Sequence, residues 1–434
     1  MNIIARLLKI KNNEVILAIF SFLLFFFLFS SYTILRPLRE VMGIASGLDN
    51  LKWLFLATFV SVLLLQYPYT LFVSKIKKEH ILTCVYAFFV VNMVFFALIL
   101  YADATSLWTG RVFYVWLSIY NLEIVSLGFS FLNDLFSNAK SRRLFAIATS
   151  GSSLGSVAGP TLTAFLSMHC ENYMLFIVSS LMLLFSMLIV KILRVIISRN
   201  NICYQDEFSP VENARELKIN SDIYSGIKAV FKERYIFNNA LYILCASATT
   251  TALYFLLMDA VAAYFSDRAE QTLVFSLLDI IVNSFTIFLQ LFITGRIAQR
   301  FGLWPLLVII PLIMFGGFMI NLWFPSFIFI ASLMTLRRIG QYALIKPGKE
   351  MLFNILSTDD KYKAKNFIDT VVYRLGDLLS AFLSSLLTSF FGILGTSFMG
   401  ILLTCLWGSI GNSLAKEYRL RESEKTKTNP MQKV

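Results

Sequence analysis

Arginine and carboxylate side chains set inside long apolar runs are the residues here whose types and spacing could do chemistry. In "FIFIASLMTLRRIGQYALIK" (Phe327–Lys346), Arg337 and Arg338 interrupt a hydrophobic segment about eleven residues after it begins. At 1.5 Å per residue that is roughly 16 Å along a helix, near the centre of a bilayer. A charge at that depth costs several kcal/mol unless it is paired or faces water, so it marks a functional position unless the helix ends early. In "NFIDTVVYRLGDLLSAFL" (Asn366–Leu383), Arg374 and Asp377 are three residues apart and share a helix face. They read either as a self-contained ion pair or as groups that change partners, Asp377 meeting Arg337 or Arg338. Glu123 and Asp279 lie well inside two further apolar runs, with Asn121 and Asn283 nearby. Such carboxylates can pair with the arginines or hold a proton. "YTILRPLREVMG" (Tyr32–Gly43) brings Arg36, Arg39 and Glu40 to one face around Pro37. They are either headgroup anchors that snorkel at the outer interface or the wall of a cavity. Pro37 frees the Thr33 carbonyl and bends the helix, which favours the cavity.

Other chemistries find little support. Five cysteines (Cys84, Cys170, Cys203, Cys245 and Cys405) are scattered and odd in number, without C-x-x-C spacing. Two histidines, His80 and His169, are too few for a histidine-based metal enzyme. No metal or cofactor is therefore expected. "KPGKEML" holds a Gly-Lys pair but not the G-x-x-x-x-G-K-[ST] phosphate loop. H-E-x-x-H and G-x-G-D are absent, and so is any large soluble domain, which argues against an enzyme.

The elements that must position these charges are membrane helices. The 434 residues are 57% hydrophobic and only 15% charged, outside the range of soluble domains. Apolar windows predict an all-α integral membrane fold of about twelve transmembrane helices: 15–35, 52–73, 81–101, 112–134, 144–167, 173–193, 236–258, 271–294, 303–322, 325–346, 366–388 and 394–413. Lysine and arginine concentrate after the second, fourth, eighth and tenth spans, as in Lys75, Lys77 and Lys78, or Lys361, Lys363 and Lys365. By the positive-inside rule both termini are cytoplasmic. The net charge of +12 then belongs to loops held against anionic lipid, with no nucleic-acid polymer as partner.

One long polar stretch separates two lobes of six helices. The expected division is 1–193, a cytoplasmic linker 194–235, 236–414, and a basic cytoplasmic tail 415–434. The halves echo each other at an offset of 221 positions, Leu154-Gly155 matching Leu375-Gly376 and Lys75-Ile76 matching Arg296-Ile297. A shared offset at equivalent places supports a duplicated six-helix unit. Gly151, Gly155 and Gly159 repeat G-x-x-x-G, a smooth face for close helix packing.

Several motifs together resemble the ATP/ADP antiporter family, nucleotide exchangers of plastids and obligate intracellular bacteria within the major facilitator superfamily. They are "LRPLRE" (Leu35–Glu40), "FSFLNDLFSNAKSRRLF" (Phe129–Phe145), "ALIKPGKEML" (Ala343–Leu352) and "KYKAKNFIDTVVYRLGD" (Lys361–Asp377). The resemblance implies a facilitator-type exchanger of a bacterial branch, in the inner membrane, with nucleotide as the leading substrate. Departures from the pattern bear on that substrate. The family's first-motif lysine and aspartate fall on Arg39 and Glu40, keeping charge. Its final lysine falls on Asp377, reversing charge, and its span-four glutamate falls on Leu117.

The expectation is thus a secondary transporter for an anionic small molecule, ATP or ADP among them. Arg36, Arg39, Arg337, Arg338 and Arg374 would bind the anion, since arginine suits bidentate phosphate or carboxylate recognition. Glu40, Glu123, Asp279 and Asp377 would pair with those arginines in turn or carry a coupling proton. The alternatives are a proton-coupled carrier of another metabolite, peptide or siderophore, and a lipid flippase.

Overall fold

The computed structural model describes residues 15–75, 78–103, 106–135, 142–199, 228, 230–356, 364–365 and 367–428. Most of the expected linker lies outside the described residues. Among those described, the architecture is helical throughout, with no strand. The first six helices are α1 (Val15–Ala45), α2 (Leu51–Lys75), α3 (Lys78–Ala102), α4 (Leu107–Leu135), α5 (Arg142–Ser167) and α6 (Asn172–Arg199). After them come α7 (Arg234–Tyr264), α8 (Arg268–Leu289), α9 (Trp304–Trp323) and α10 (Phe327–Gly340). The last helical stretch, Tyr373–Thr428, breaks at Gly392, whose φ of 61° and ψ of −154° no helix allows. It therefore makes two helices, α11 (373–391) and α12 (393–428).

Ten described segments are long and apolar enough to span a bilayer, the last of them covering both α11 and α12. The α5 helix falls short of that hydropathy because glycine, serine and threonine replace large apolar residues along it. Its 26 residues still suffice to cross.

Three helices run past a π-helical turn. The turn Gln290–Thr294 carries α8 into Gly295–Phe301, and Gln341–Ile345 carries α10 into Lys346–Phe353. The third, Ile368–Val372, leads into α11. Extra residues in such turns leave carbonyls without helical partners. Here Gln290 donates to the Tyr342 carbonyl at 3.1 Å and Thr294 to the Ala343 carbonyl at 2.9 Å, so the α8 turn satisfies the α10 turn.

The chain forms two compact units. One comprises residues 1–209 with 265–283, the other 210–264 with 284–434. Within the first, α1 lies against α5 on the G-x-x-x-G face. A Cβ on Gly151 would stand 2.1 Å from the Phe22 carbonyl oxygen, one on Gly155 2.4 Å from that of Phe26, and one on Gly159 2.1 Å from Thr33 Oγ1. Backbone contact this close lets hydroxyls tie the helices together. Thr33 Oγ1 donates to the Gly155 carbonyl at 3.2 Å, and Thr163 Oγ1 to that of Ile34 at 2.8 Å. The second unit repeats the arrangement. A Cβ on Gly376 of α11, 221 positions after Gly155, would meet the Leu244 carbonyl of α7 at 2.8 Å.

The close α1–α5 contact makes a direct prediction. Gly155→Ala introduces a methyl that must displace α1 backbone, destabilising the unit by about 1–3 kcal/mol. Gly316→Ala, where a Cβ meets nothing within 4 Å, serves as control. Thermal unfolding of the two purified variants should show a lowered midpoint for the first only. Equal midpoints would remove the tight packing from the account.

Candidate functional site

Each unit places charge in its interior. In the first, α1 continues nine residues beyond Arg36 to Ala45, longer than the expected span end at 35. The reason is that its charges are answered within the unit, so the helix has no need to end there. Arg36 Nε lies 3.8 Å from Asp279 Oδ2, with side-chain exposures of 20% and 5%. Arg39 Nη2 donates to Glu40 Oε1 at 2.6 Å, its Nη1 reaches Ser118 Oγ at 3.4 Å, and its guanidinium lies 5.0 Å from the Tyr114 ring centre. Glu40 is buried. These arginines turn inward to carboxylates and an aromatic face, unlike headgroup anchors. Asn283, expected beside Asp279, donates instead to the Ser156 carbonyl of α5 at 2.7 Å. Glu123 is buried in α4.

In the second unit α10 does not stop at its arginines, since the helix resumes after the π turn. Arg337 is 1% exposed. Its Nη1 donates to Gln341 Oε1 and its Nη2 to the Ala246 carbonyl, both at 2.8 Å, while its guanidinium lies 4.8 Å from the Trp407 ring centre. Among the described residues, the groups that bond or stack on this buried cation are neutral. Arg338 and Arg374 are half-buried.

Arg374 and Asp377 do not form the ion pair that their spacing allows. The Asp377 carboxylate is turned to α7, where Ser247 Oγ and Thr251 Oγ1 lie 2.5 and 2.9 Å from Oδ1. The cause is Gly376. Its missing side chain lets α7 approach until Ser247 Cβ is 3.0 Å from where a Cβ would be. The hydroxyls then reach the acid first.

Sequence reasoning missed Trp407, Gln341, Ser247 and Thr251. The run "SATTT" (Ser247–Thr251) within an apolar span was the available signal, because hydroxyls at i and i+4 share a face. It also missed how two motifs join. Lys349 pairs with Asp369 and Lys365 with Glu350, each at 2.6 Å, so "ALIKPGKEML" and "KYKAKNFID" are crossed by two ion pairs. These are part-exposed and each is worth about 0–1 kcal/mol. Spacing gave no hint of them.

Two units of spanning helices with interior arginines and carboxylates define a multi-pass membrane carrier of the secondary-transport class, working by alternating access. The model of the Major Facilitator Superfamily matches residues 124–345, just over half of the chain, and the chain belongs to that superfamily. A comparison with curated proteins finds no match. Among solved structures, a bacterial homologue of the iron transporter ferroportin is similar at 13% identity and TM-score 0.65, over 93% of this chain and 98% of that one. A bacterial homologue of the human lysosomal transporter Spinster is similar at 14% identity and TM-score 0.58, over 95% of each chain. The nucleoside transporter NupG is similar at 12% identity and TM-score 0.57, over 93% of this chain and 98% of its own. At these identities the likeness concerns the fold.

The Arg36–Asp279 contact is testable as a pair. Removing one partner breaks a part-buried ion pair and destabilises, whereas removing both is milder. Unfolding midpoints of Arg36→Gln, Asp279→Asn and the double variant should show the double more stable than either single. Additive losses would mean the two side chains do not interact.

Proposed function

We propose that this protein is a secondary transporter of an anionic small molecule, with nucleotide as its leading substrate, in a bacterial inner membrane. The observation that carries the reading is Arg337, a cation 1% exposed that is held by a carbonyl, an amide and an aromatic face. Arg337 of α10 and Arg374 of α11 are both cationic neighbours of one carboxylate, Asp377, which is engaged by hydroxyls. A surplus of cation in a low-dielectric interior is unfavourable until a counter-charge arrives. An anionic substrate supplies it, and arginine forks suit phosphate or carboxylate oxygens. In the first unit Arg36 and Arg39 rest on Asp279 and Glu40, contacts that a competing anion can replace.

The choice of nucleotide leans on the motif resemblance to ATP/ADP antiporters, whose third and fourth motifs here are held together by the Lys349–Asp369 and Lys365–Glu350 pairs. A second reading, a proton-coupled carrier of another metabolite, is favoured by Asp377, an acid where that family has a lysine.

Labelled ATP uptake into proteoliposomes, preloaded or not with ADP, tests the proposal. Exchange should require internal ADP. Arg338→Gln or Arg374→Gln should lower it about tenfold or more, because a charge-assisted hydrogen bond is worth roughly 1.5–3 kcal/mol, with unfolding midpoints unchanged. No uptake by folded wild-type protein would overturn nucleotide as substrate. Undiminished uptake in both variants would remove these arginines from the site.

A further inference from the structure

The buried tyrosines of the two units are committed to fixed partners. Tyr86 donates to the Ile124 carbonyl at 3.2 Å, Tyr235 to that of Leu352 at 3.0 Å and Tyr242 to that of Leu307 at 2.9 Å, while Tyr120 shares a hydrogen with Ser31 at 2.7 Å. Tyr114, also buried, offers its ring to the Arg39 guanidinium. Tyr32 differs. It packs on the apolar core of the first unit but is only half-buried. Among the described residues its hydroxyl makes no hydrogen bond, and its ring meets no second ring and no cation. Tyr32 stands near the middle of the 31-residue α1, where a lipid-facing hydroxyl would lie in hydrocarbon without a partner. It faces elsewhere. From Ser30 to Gly43 the residues of α1 that are not buried are Tyr32, Arg36 and Arg39. Their spacing puts them on one helix face, the face on which Arg36 meets Asp279 of α8.

We propose that Tyr32 is a ring-binding subsite beside the Arg36 and Arg39 cations, and that it makes the site selective for an anion carrying an aromatic base over a bare phosphate. This rests on the reading of the protein as an anion carrier. Tyr32 is four residues from Arg36 and seven from Arg39, about 6 and 10 Å along the helix. A nucleotide sets a comparable stretch, its ribose, between base and phosphates. Lying along α1, it places its base on the Tyr32 ring and its phosphate oxygens on the two guanidinium forks, where they replace Asp279 and Glu40. The Tyr32 hydroxyl is left to bond a ribose hydroxyl or a base edge. Every base has a face that stacks, so Tyr32 separates nucleotides from inorganic phosphates without choosing among bases. Stacking on one ring does not hold an uncharged nucleoside by itself, and the anion contacts stay indispensable.

Calorimetric titration of the purified full-length protein with ADP and with pyrophosphate tests the subsite, since the two share a diphosphate and differ in ribose and base. Wild type should bind ADP about tenfold or more tighter than pyrophosphate. Tyr32→Leu should lose that advantage with its pyrophosphate affinity unchanged, and Tyr32→Phe, which keeps the ring, should retain most of it. In Tyr32→Trp the added indole fluorescence should be quenched by ADP and not by pyrophosphate, which reads stacking directly even if Tyr32→Leu folds poorly. ADP that binds wild type no tighter than pyrophosphate, or that keeps its advantage in Tyr32→Leu, would overturn the ring subsite and leave the anion reading standing. Equal weakening of both ligands by Tyr32→Leu would overturn it as well, because the residue would then act only through packing. Folded wild type that binds neither ligand would overturn the anion reading, and the subsite with it.

Discussion

A guanidinium inside a membrane-embedded helix bundle must be answered, and the architecture of the second unit follows from how Arg337 is answered. A carbonyl from α7, an amide from its own helix and an indole face from α12 converge on one side chain. Each contributes a partial negative charge and none a full one. That arrangement solvates the cation without neutralising it, which distinguishes a charge kept available from one simply tolerated. The first unit uses the other solution, setting Arg36 and Arg39 against carboxylates. Pairs of that kind are stable at rest and can be opened by a competing ion.

Close backbone packing makes both solutions attainable. Small residues at 151, 155 and 159 let α1 and α5 touch along their backbones, and Gly376 does the same for α7 and α11. In lipid there is little hydrophobic gain from helix association, so such contacts and the hydroxyl bonds they permit carry much of the specificity. The equivalence of Gly155 and Gly376, both packed on the first helix of their half, gives the 221-residue echo a structural meaning. It also fixes which chemistry each half can do. Around Gly155 the approaching groups are Ser30 and Thr33, and they bond backbone. Around Gly376 they are Ser247 and Thr251, and there they meet an acid.

What could be read from the sequence divides along the same physical line. Membrane helices were legible because twenty apolar residues in a row have few other uses, and Arg337 because it breaks such a row. The α5 helix was recoverable from its length, since its glycine and serine face weakens its hydropathy while serving its packing. Partners were not legible. Helical spacing offered Arg374 to Asp377, but the structure gives the acid to α7, because a glycine determines how near another helix comes. Trp407 lies 70 residues from Arg337 and its apolar run marks no special role for it. The continuation of α1 to Ala45 depends on contacts with α4 and α8 residues that no local pattern encodes.

The central claim is that interior arginines await an anion, and the most direct measurement is ligand-induced stabilisation of the purified wild-type protein. Unfolding midpoints would be compared with ATP, ADP, inorganic phosphate and uncharged adenosine at constant ionic strength. An anion at a hundred times its dissociation constant should stabilise by about 2.7 kcal/mol. The account predicts a clear upward shift with at least one anion and none with adenosine. Stabilisation by adenosine equal to that by ATP, or no shift with any anion, would contradict it.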